Sequence, residues 1–414
     1  MAWRVSSSAA RRTAVALLFP AWVVVATLLS LEGLLLLSRP LWEEASSLPP
    51  AGRGMPSQER YWCYRYHPLI GYVGLPDVHW LAPWGKLVTQ NARGERGPEV
   101  PFERGPAARV VLLGDSQAWG FGVADDETLG VRLAESLDRR GRSGVEVVNL
   151  GTSGYGIDQS VLAWIVHGLD YSPDVVVFAW FALNDLQETA SSRSHGVAKP
   201  IFLRREEGLC LANVPVPRAE GWPDVDLGSQ LVRALADCCG RTTGYLAGRT
   251  NLVRFLRTRS GVRDWRSEYE EGLARVREVF PCVVGADDGS PRGGTVGREL
   301  LATLARSLAP RARLVVLAIP TPGDLAAGRR SESYDGFLVE LRAEGVTVVD
   351  PFDALVGPFA EGRAIGRAAP DDAHLSAEGT AIAAEVLAAR VAPLLSALRT
   401  GGAFPPVTGM AGGG

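Results

Sequence analysis

Three residues of this sequence have the types and positions that nucleophilic catalysis requires. Ser116 is the third residue of a Gly-Asp-Ser tripeptide that directly follows the apolar run 109-RVVLLG-114. Asp371 and His374 lie three residues apart near the C-terminal end of the chain. That spacing allows the carboxylate to orient the imidazole while the second ring nitrogen faces a serine. Considered singly, the serine is more often a helix N-cap than a nucleophile, and an isolated Asp–His pair is more often part of an ordinary loop.

Two further loops contain hydrogen-bond donors for a negatively charged substrate oxygen. Gly154, in 149-NLGTSGYG-156, would present an unobstructed backbone N–H, and Asn184, in 180-WFALNDL-186, carries a side-chain amide. Donors of this kind stabilise the oxyanion that forms when a serine attacks an ester carbonyl. A glycine turn and an Asn-Asp turn are the structural alternatives when each loop is considered alone.

The candidate residues follow short apolar runs that have the composition of buried β-strands. Five such runs occur, at 109–114, 145–150, 174–181, 313–320 and 346–352. Segments with helical amphipathic periodicity lie between them. This alternation predicts a doubly wound α/β domain whose parallel five-stranded sheet is covered on both faces. In such a domain the ligand binds at the carboxyl ends of the strands, which is where the candidate residues lie.

Taken together, these motifs resemble the SGNH, or GDSL-like, hydrolase superfamily in their order and in their positions along the sheet. The resemblance covers roughly residues 60–395 and looks closest to a membrane-anchored bacterial envelope branch. Three local phrases also resemble that branch: 67-HPLIGY-72, 147-VVNLGTSGYGIDQ-159 and 199-KPIFL-203. The resemblance implies a flavodoxin-like sheet and an esterase, thioesterase, lipase, carbohydrate O-deacetylase or O-acetyltransferase activity.

The resemblance also implies a role for each candidate residue. Ser116 would be the nucleophile, His374 the general base and then acid, and Asp371 the residue that orients His374. The oxyanion hole would comprise the backbone N–H groups of Ser116 and Gly154 and the side chain of Asn184. No cofactor is expected. No metal is expected either, because His67, His79, His167 and His195 lack metal-ligand spacing.

One position departs from the superfamily pattern. The third motif is usually G-x-N-D, whereas this chain has Ala182 at the first place of that motif. An alanine adds a Cβ atom that could shift the loop carrying Asn184, or exclude a positive φ there. Since losing one oxyanion donor lowers kcat by about 10²–10³, a misplaced Asn184 would weaken the enzyme.

An apolar run at residues 13–37 is long enough to cross a bilayer. Arginines precede it and Glu43 and Glu44 follow it, which by the positive-inside rule places residues 1–12 in the cytoplasm. The sequence therefore predicts a single-pass anchor in a bacterial cytoplasmic membrane, with the catalytic domain on the extracytoplasmic side. A cleaved signal peptide is the alternative, although its apolar region is normally only about 7–15 residues long.

The remaining chain divides by composition. We expect a linker and pre-domain segment at 38–105, followed by a first hydrolase part at 106–190. An insertion or cap at 191–296 separates it from a second hydrolase part at 297–398, and a disordered tail follows at 399–414. Four of the five cysteines fall in or near the insertion: Cys210, Cys238, Cys239 and Cys282. They could form a disulfide in an oxidising compartment, with a connectivity that the sequence leaves open, or remain as small buried thiols.

The leading interpretation is a serine-dependent acyl-ester hydrolase of the cell envelope that forms an acyl-enzyme on Ser116. Its expected substrate is an acylated glycan or lipid-linked sugar, and its expected partners are an envelope polysaccharide and the bilayer that holds residues 13–37. An O-acyltransferase with the same triad and a non-catalytic polysaccharide-binding protein are the alternatives. The net charge of −3 provides no positive field for a nucleic acid, so that class of partner is excluded.

Overall fold

The computed structural model describes residues 22–34, 63–76, 78–82, 84–217, 265–285, 294–309, 311–366 and 373–399. In chain order its strands are β1 (Tyr64–His67), β2 (Gly71–Gly74), β3 (His79–Leu81), β4 (Leu87–Thr89), β5 (Arg109–Gly114), β6 (Glu146–Asn149), β7 (Val175–Phe181), β8 (Arg193–Ser194), β9 (Val197–Ala198), β10 (Ile201–Arg205), β11 (Gly208–Ala212), β12 (Arg313–Ile319) and β13 (Thr347–Val349).

The helices lie between and after these strands. They are α1 (Ser116–Trp119), α2 (Leu129–Arg139), α3 (Ile157–Val166), α4 (Asp185–Ala190), α5 (Trp265–Val279), α6 (Gly294–Leu308), α7 (Pro322–Ala327), α8 (Glu332–Ala343), α9 (Phe352–Ala360) and α10 (Ala377–Arg399). Short 3₁₀ turns occupy Asp125–Glu127 and Gly168–Tyr171. A separate apolar helix spans Trp22–Leu34.

The centre of the molecule is a five-stranded sheet in the order β13-β12-β7-β5-β6. All four strand pairs in it are parallel, and β5 lies between β6 and β7, with Leu112 paired to Asn149 on one side and to Val177 on the other. Each of the five apolar runs contributes one strand. The predicted doubly wound α/β fold is therefore confirmed.

Both faces of the sheet are covered, and the central strands β5, β7 and β12 each contain a continuous run of buried apolar residues. In β5, Val111 and Leu113 belong to the core on the face that also holds residues of α3, α6 and α8. Val110 and Leu112 belong to the core on the opposite face, together with residues of α2, α9 and α10. Since successive side chains of a strand point to opposite faces, a continuous apolar run is what a sheet covered on both sides requires.

Two apolar helices, α10 and Trp22–Leu34, are relevant to the expected membrane anchor. Among the described residues, the one helix long and apolar enough to cross a bilayer is Ala377–Ser396, near the C-terminal end, and 56% of its most apolar window is buried inside the domain. Its buried face, which includes Leu387 and Val391, packs in the sheet core. The expected N-terminal span is described only over Trp22–Leu34, which is shorter than the roughly 20 residues that cross a bilayer.

The chain before β5 packs against the same domain. The antiparallel hairpin β1–β2 places Tyr64, Tyr66 and Tyr72 in the core that covers the first face of the sheet. A second antiparallel hairpin, β3–β4, follows it. The described part of the chain from Cys63 onwards therefore contributes to the hydrolase core and does not merely lead to it.

The described part of the insertion holds two antiparallel hairpins, β8–β9 and β10–β11, and the helix α5. Cys210 of β11 forms a disulfide with Cys282, which lies just after α5. Cys238 and Cys239 lie outside the described residues. The disulfide thus joins the hairpin to the end of the helix across a sequence separation of 72 residues.

We predict that replacing Cys210 and Cys282 together by serine lowers the Tm, because a crosslink across 72 residues restricts the unfolded chain. For a loop of this length the free energy of unfolding should fall by about 4 kcal/mol at most. Thermal unfolding with and without dithiothreitol measures it. The reductant should lower the Tm of the wild type and leave that of the double variant unchanged. Equal Tm values for the oxidised wild type and the double variant would contradict the prediction.

Candidate active site

The strand β5 ends in a turn that only glycine can make without strain. Gly114 has a φ of +140°, and a Cβ atom there would lie 2.7 Å from the carbonyl oxygen of Ala179 on the neighbouring strand. Asp115 then caps α1, because its carboxylate accepts a hydrogen bond of 2.9 Å from the backbone N–H of Gln117. Ser116 is consequently the first residue of α1, at the carboxyl end of β5.

His374 reaches Ser116 from the segment that precedes α10. Its Nε2 lies 2.7 Å from the Ser116 Oγ, and its ring packs beside Phe121, with 4.7 Å between the ring centroids. The Ser116 hydroxyl also lies 3.3 Å from the Oδ2 of Asp115. The shorter contact to the imidazole is the one through which the hydroxyl proton can be removed.

The loop after β6 contains Gly154, the second candidate oxyanion donor. Gly154 has a φ of +78°, and a Cβ atom there would lie 2.1 Å from the Nε2 of His195. The same loop is held to the nucleophile turn by a hydrogen bond of 3.0 Å that the Thr152 N–H donates to the Gly114 carbonyl. Any residue other than glycine at this position would therefore collide with the neighbouring ring and displace the loop.

Two side chains outside the catalytic sequence motifs hold this loop in place. The Tyr72 hydroxyl donates a hydrogen bond of 2.9 Å to the Ser153 carbonyl, and the Ser194 hydroxyl donates one of 2.7 Å to the Gly154 carbonyl. Tyr72 falls in the phrase 67-HPLIGY-72, which carries a family resemblance but no sign of a role for the tyrosine. Ser194 carries no sequence signal, because a hydroxyl that binds one carbonyl leaves no pattern along the chain.

Asn184 lies beside the nucleophile turn. Its Nδ2 donates a hydrogen bond of 3.2 Å to the Oδ2 of Asp115. An amide nitrogen carries two hydrogens, so one remains for a substrate oxygen. Ala182 has no positive φ, and its N–H bonds the Ile319 carbonyl at 3.2 Å. The alanine at this position therefore needs no conformation that its Cβ atom would forbid.

The structure thus brings Ser116, His374 and Asn184 around Asp115, with the Gly154 loop tied to the same turn. Asp371, the expected third member of the triad, lies outside the described residues. In the part of the chain that is described, no group of three or more His, Cys, Asp and Glu side chains is placed to hold a metal ion.

Two carboxyl groups near Ser116, those of Asp115 and Asp185, are buried. Burial raises the pKa of Asp115, an effect that the nearby His374 and several hydrogen bonds oppose. Burial raises the pKa of Asp185 much further, and the proximity of Asp115 adds to that increase. The Oδ2 of Asp185 accepts a hydrogen bond of 2.8 Å from the Phe181 N–H, which fixes the end of β7. The two groups therefore hold backbone donors, and the pair resists carrying two negative charges.

The sequence profile of the GDSL-like Lipase/Acylhydrolase family matches residues 112–382, which is more than half of the chain. The chain therefore belongs to this family, as its motifs indicate, and the protein is a serine hydrolase that acts on esters. The match does not distinguish a membrane-anchored branch of the family.

Several solved structures are similar to this chain. A lipase/acylhydrolase from Enterococcus faecalis is 14% identical, with a TM-score of 0.36, 69% of this chain and 95% of that chain being covered. An acetyl xylan esterase, AlAXEase, is 13% identical, with a TM-score of 0.35 and coverages of 68% and 99%. A carbohydrate acetylesterase family member from Sinorhizobium meliloti is 12% identical, with a TM-score of 0.30 and coverages of 70% and 99%. No curated protein sequence matches the chain.

We predict that Asp185→Asn makes the free energy of unfolding less dependent on pH. Because burial raises the pKa of Asp185, the folded state holds this proton more tightly than the unfolded state, whose aspartate pKa is about 3.9. The stability that the bound proton contributes is complete below that value and is lost as the pH rises towards the folded-state pKa. Asparagine cannot ionise, and its side-chain oxygen can still accept the hydrogen bond from the Phe181 N–H.

Urea unfolding at about pH 5 and about pH 8 tests this. The stability of Asp185→Asn relative to the wild type should be higher at the upper pH than at the lower one. Asp138→Asn, on the exposed side of α2, is the control and should show no such change. A difference between Asp185→Asn and the wild type that is the same at both pH values would contradict the prediction.

Proposed function

We propose that the protein is an esterase or O-deacetylase that cleaves its substrate through an acyl-enzyme on Ser116. The observation that carries the proposal is the 2.7 Å contact between the Ser116 Oγ and the His374 Nε2. The Ser116 oxygen attacks the ester carbonyl while its proton passes to His374, which then protonates the departing alkoxide. Water, deprotonated by the same imidazole, attacks the acyl-enzyme and releases the acid and free Ser116.

The remaining site residues support the charges that arise in these steps. The negative charge on the carbonyl oxygen would be stabilised by the backbone N–H groups of Ser116 and Gly154 and by the Asn184 amide. Asp371 would hold His374 in the required tautomer from its other ring nitrogen. The Asp115 carboxyl group also lies close enough to His374 to interact with it electrostatically.

A row of aromatic rings supports a carbohydrate ester as the substrate. Trp84, in the turn between β3 and β4, lies 4.5 Å from Phe121 between ring centroids, and Phe121 lies 4.7 Å from the ring of His374. Both Trp84 and Phe121 are partly exposed. An aromatic surface beside the base suits a pyranose ring, whose C–H face is apolar while its rim is polar.

Two features support a location in the cell envelope. A disulfide such as Cys210–Cys282 persists in oxidising compartments and is rare in the cytosol. The helix Trp22–Leu34 keeps large apolar side chains exposed, with Trp22 65% and Leu29 67% exposed, in contrast to the buried face of α10. Exposed apolar surface of this kind is what a membrane-embedded helix presents to lipid. The anchor at 13–37 accordingly remains our proposal for how the enzyme is held at the cytoplasmic membrane.

We predict that a fluorophosphonate probe labels the full-length protein on Ser116, because only an activated serine reacts with it. Peptide mass spectrometry should locate the adduct. Labelling and the hydrolysis of p-nitrophenyl acetate should both be lost in Ser116→Ala, and hydrolysis should fall by at least about 10³-fold in His374→Ala. Ser153→Ala, which changes a buried serine in the neighbouring loop, should retain the adduct on Ser116. A folded protein without an adduct would refute the proposed mechanism.

We also predict that Trp84→Ala raises the KM for an O-acetylated oligosaccharide by about threefold to tenfold, the range that one aromatic contact supplies. The KM for p-nitrophenyl acetate, which has no sugar ring, should change by less than about twofold. Phe102→Ala is the matched control, because Phe102 is an exposed aromatic residue that packs on Tyr171 and not on His374. An equal rise for both esters would exclude a sugar-specific role for Trp84.

A further inference from the structure

The side chain of Gln117 holds the backbone on both sides of His374. Its Nε2 donates a hydrogen bond of 3.3 Å to the carbonyl of Ala373, and its Oε1 accepts one of 3.2 Å from the N–H of Leu375. The glutamine is 7% exposed. A single buried amide therefore binds the residue before the base and the residue after it.

This contact matters because His374 belongs to an irregular segment. On its C-terminal side the chain is fixed: Leu375 forms an isolated antiparallel bridge with Gly366, and Ser376 bonds the Ile365 carbonyl at 2.9 Å. At Ala373, the described residue that precedes His374, the hydrogen bond to the carbonyl comes from Gln117. The position of the imidazole thus depends on Gln117 as well as on the start of α10.

Gln117 is also rigidly connected to the nucleophile. It follows Ser116 directly in α1, and its own N–H is fixed by the Asp115 carboxylate at 2.9 Å. Any movement of the nucleophile turn is therefore shared by the amide that holds His374. The distance between the Ser116 Oγ and the His374 Nε2 consequently depends on the peptide unit that joins Ser116 to Gln117 and on the side chain of Gln117.

We infer that Gln117 is a positioning residue that holds the general base in register with the nucleophile. The inference rests on the proposed function of Ser116 and His374. The letters of the family's name, G-D-S-L, place leucine at this position, and leucine can neither donate to Ala373 nor accept from Leu375. The glutamine gives this chain a connection between the two catalytic segments that an apolar side chain of similar size would lack.

The test is a double-mutant cycle in the full-length protein between Gln117→Leu and His374→Ala, with p-nitrophenyl acetate as substrate. Gln117→Leu alone should lower kcat by about 10-fold to 100-fold, as a misplaced catalytic group does, with KM within about twofold of the wild type. In the His374→Ala background, assayed with added imidazole, the same change should cost less than about twofold, because a diffusing base is not held by Gln117.

A matched control separates positioning from general stability. Gln159→Leu removes another buried glutamine, whose Nε2 bonds the Ile70 carbonyl at 2.8 Å and which has no hydrogen bond to the His374 segment. Its effect on kcat should be the same with and without His374. If Gln117→Leu does not fold at the assay temperature, judged by Tm, Gln117→Met replaces it in the cycle.

The outcomes distinguish a failure of the positioning role of Gln117 from a failure of the proposed function. Loss of activity in Ser116→Ala and His374→Ala, with wild-type kcat in Gln117→Leu, would refute the positioning role and leave the proposed function standing. An equal fold-loss from Gln117→Leu in both backgrounds would also refute it, because the glutamine would then act independently of His374. Retained activity in Ser116→Ala would refute the proposed function itself.

Discussion

The hydrogen bond between Ser116 and His374 joins residues 258 positions apart, and much of the fold serves to make that contact possible. Ser116 is fixed because β5 is paired on both sides and ends in a glycine turn. His374 is fixed because α10 packs along the sheet core and because Gln117 binds its flanking backbone. A contact between residues so far apart in sequence costs little additional conformational entropy only when both residues are already fixed by structure that forms for other reasons.

Fixing this contact involves two buried carboxyl groups, whose burial is energetically unfavourable. Removing Asp115 and Asp185 from water disfavours their charged forms, which raises the pKa of both. Each nevertheless holds a backbone N–H at the end of a strand or the start of a helix, and Asp115 also receives the Asn184 amide. The proximity of His374 opposes the increase in the pKa of Asp115, so the contact between the two segments also makes the burial of this carboxyl group less unfavourable.

The sequence indicated the sheet and the polar residues at its edge, because buried parallel strands are continuous apolar runs and each ends at a short polar motif. It did not indicate Tyr72, Ser194 or Gln117. These side chains bind backbone groups of other segments, and such bonds depend on which segments meet in space. The cysteine pairing was equally open, since Cys210 and Cys282 become neighbours only after β11 and the end of α5 have been brought together. The membrane anchor and Asp371 remain predictions.

The loop that carries Gly154 contacts both the hairpin β1–β2 and the insertion. Tyr72 reaches it from the hairpin β1–β2, and Ser194 reaches it from β8 in the insertion. The insertion is also tied to the base of α3 by Lys199 and Asp158, an ion pair in which both side chains are fully buried. A buried pair of this kind is destabilising once either partner is removed, so the insertion cannot shift far without disturbing α3. The hairpin β1–β2 and the insertion therefore both hold the loop that carries Gly154, the proposed oxyanion donor, so a change in either can alter the position of that donor.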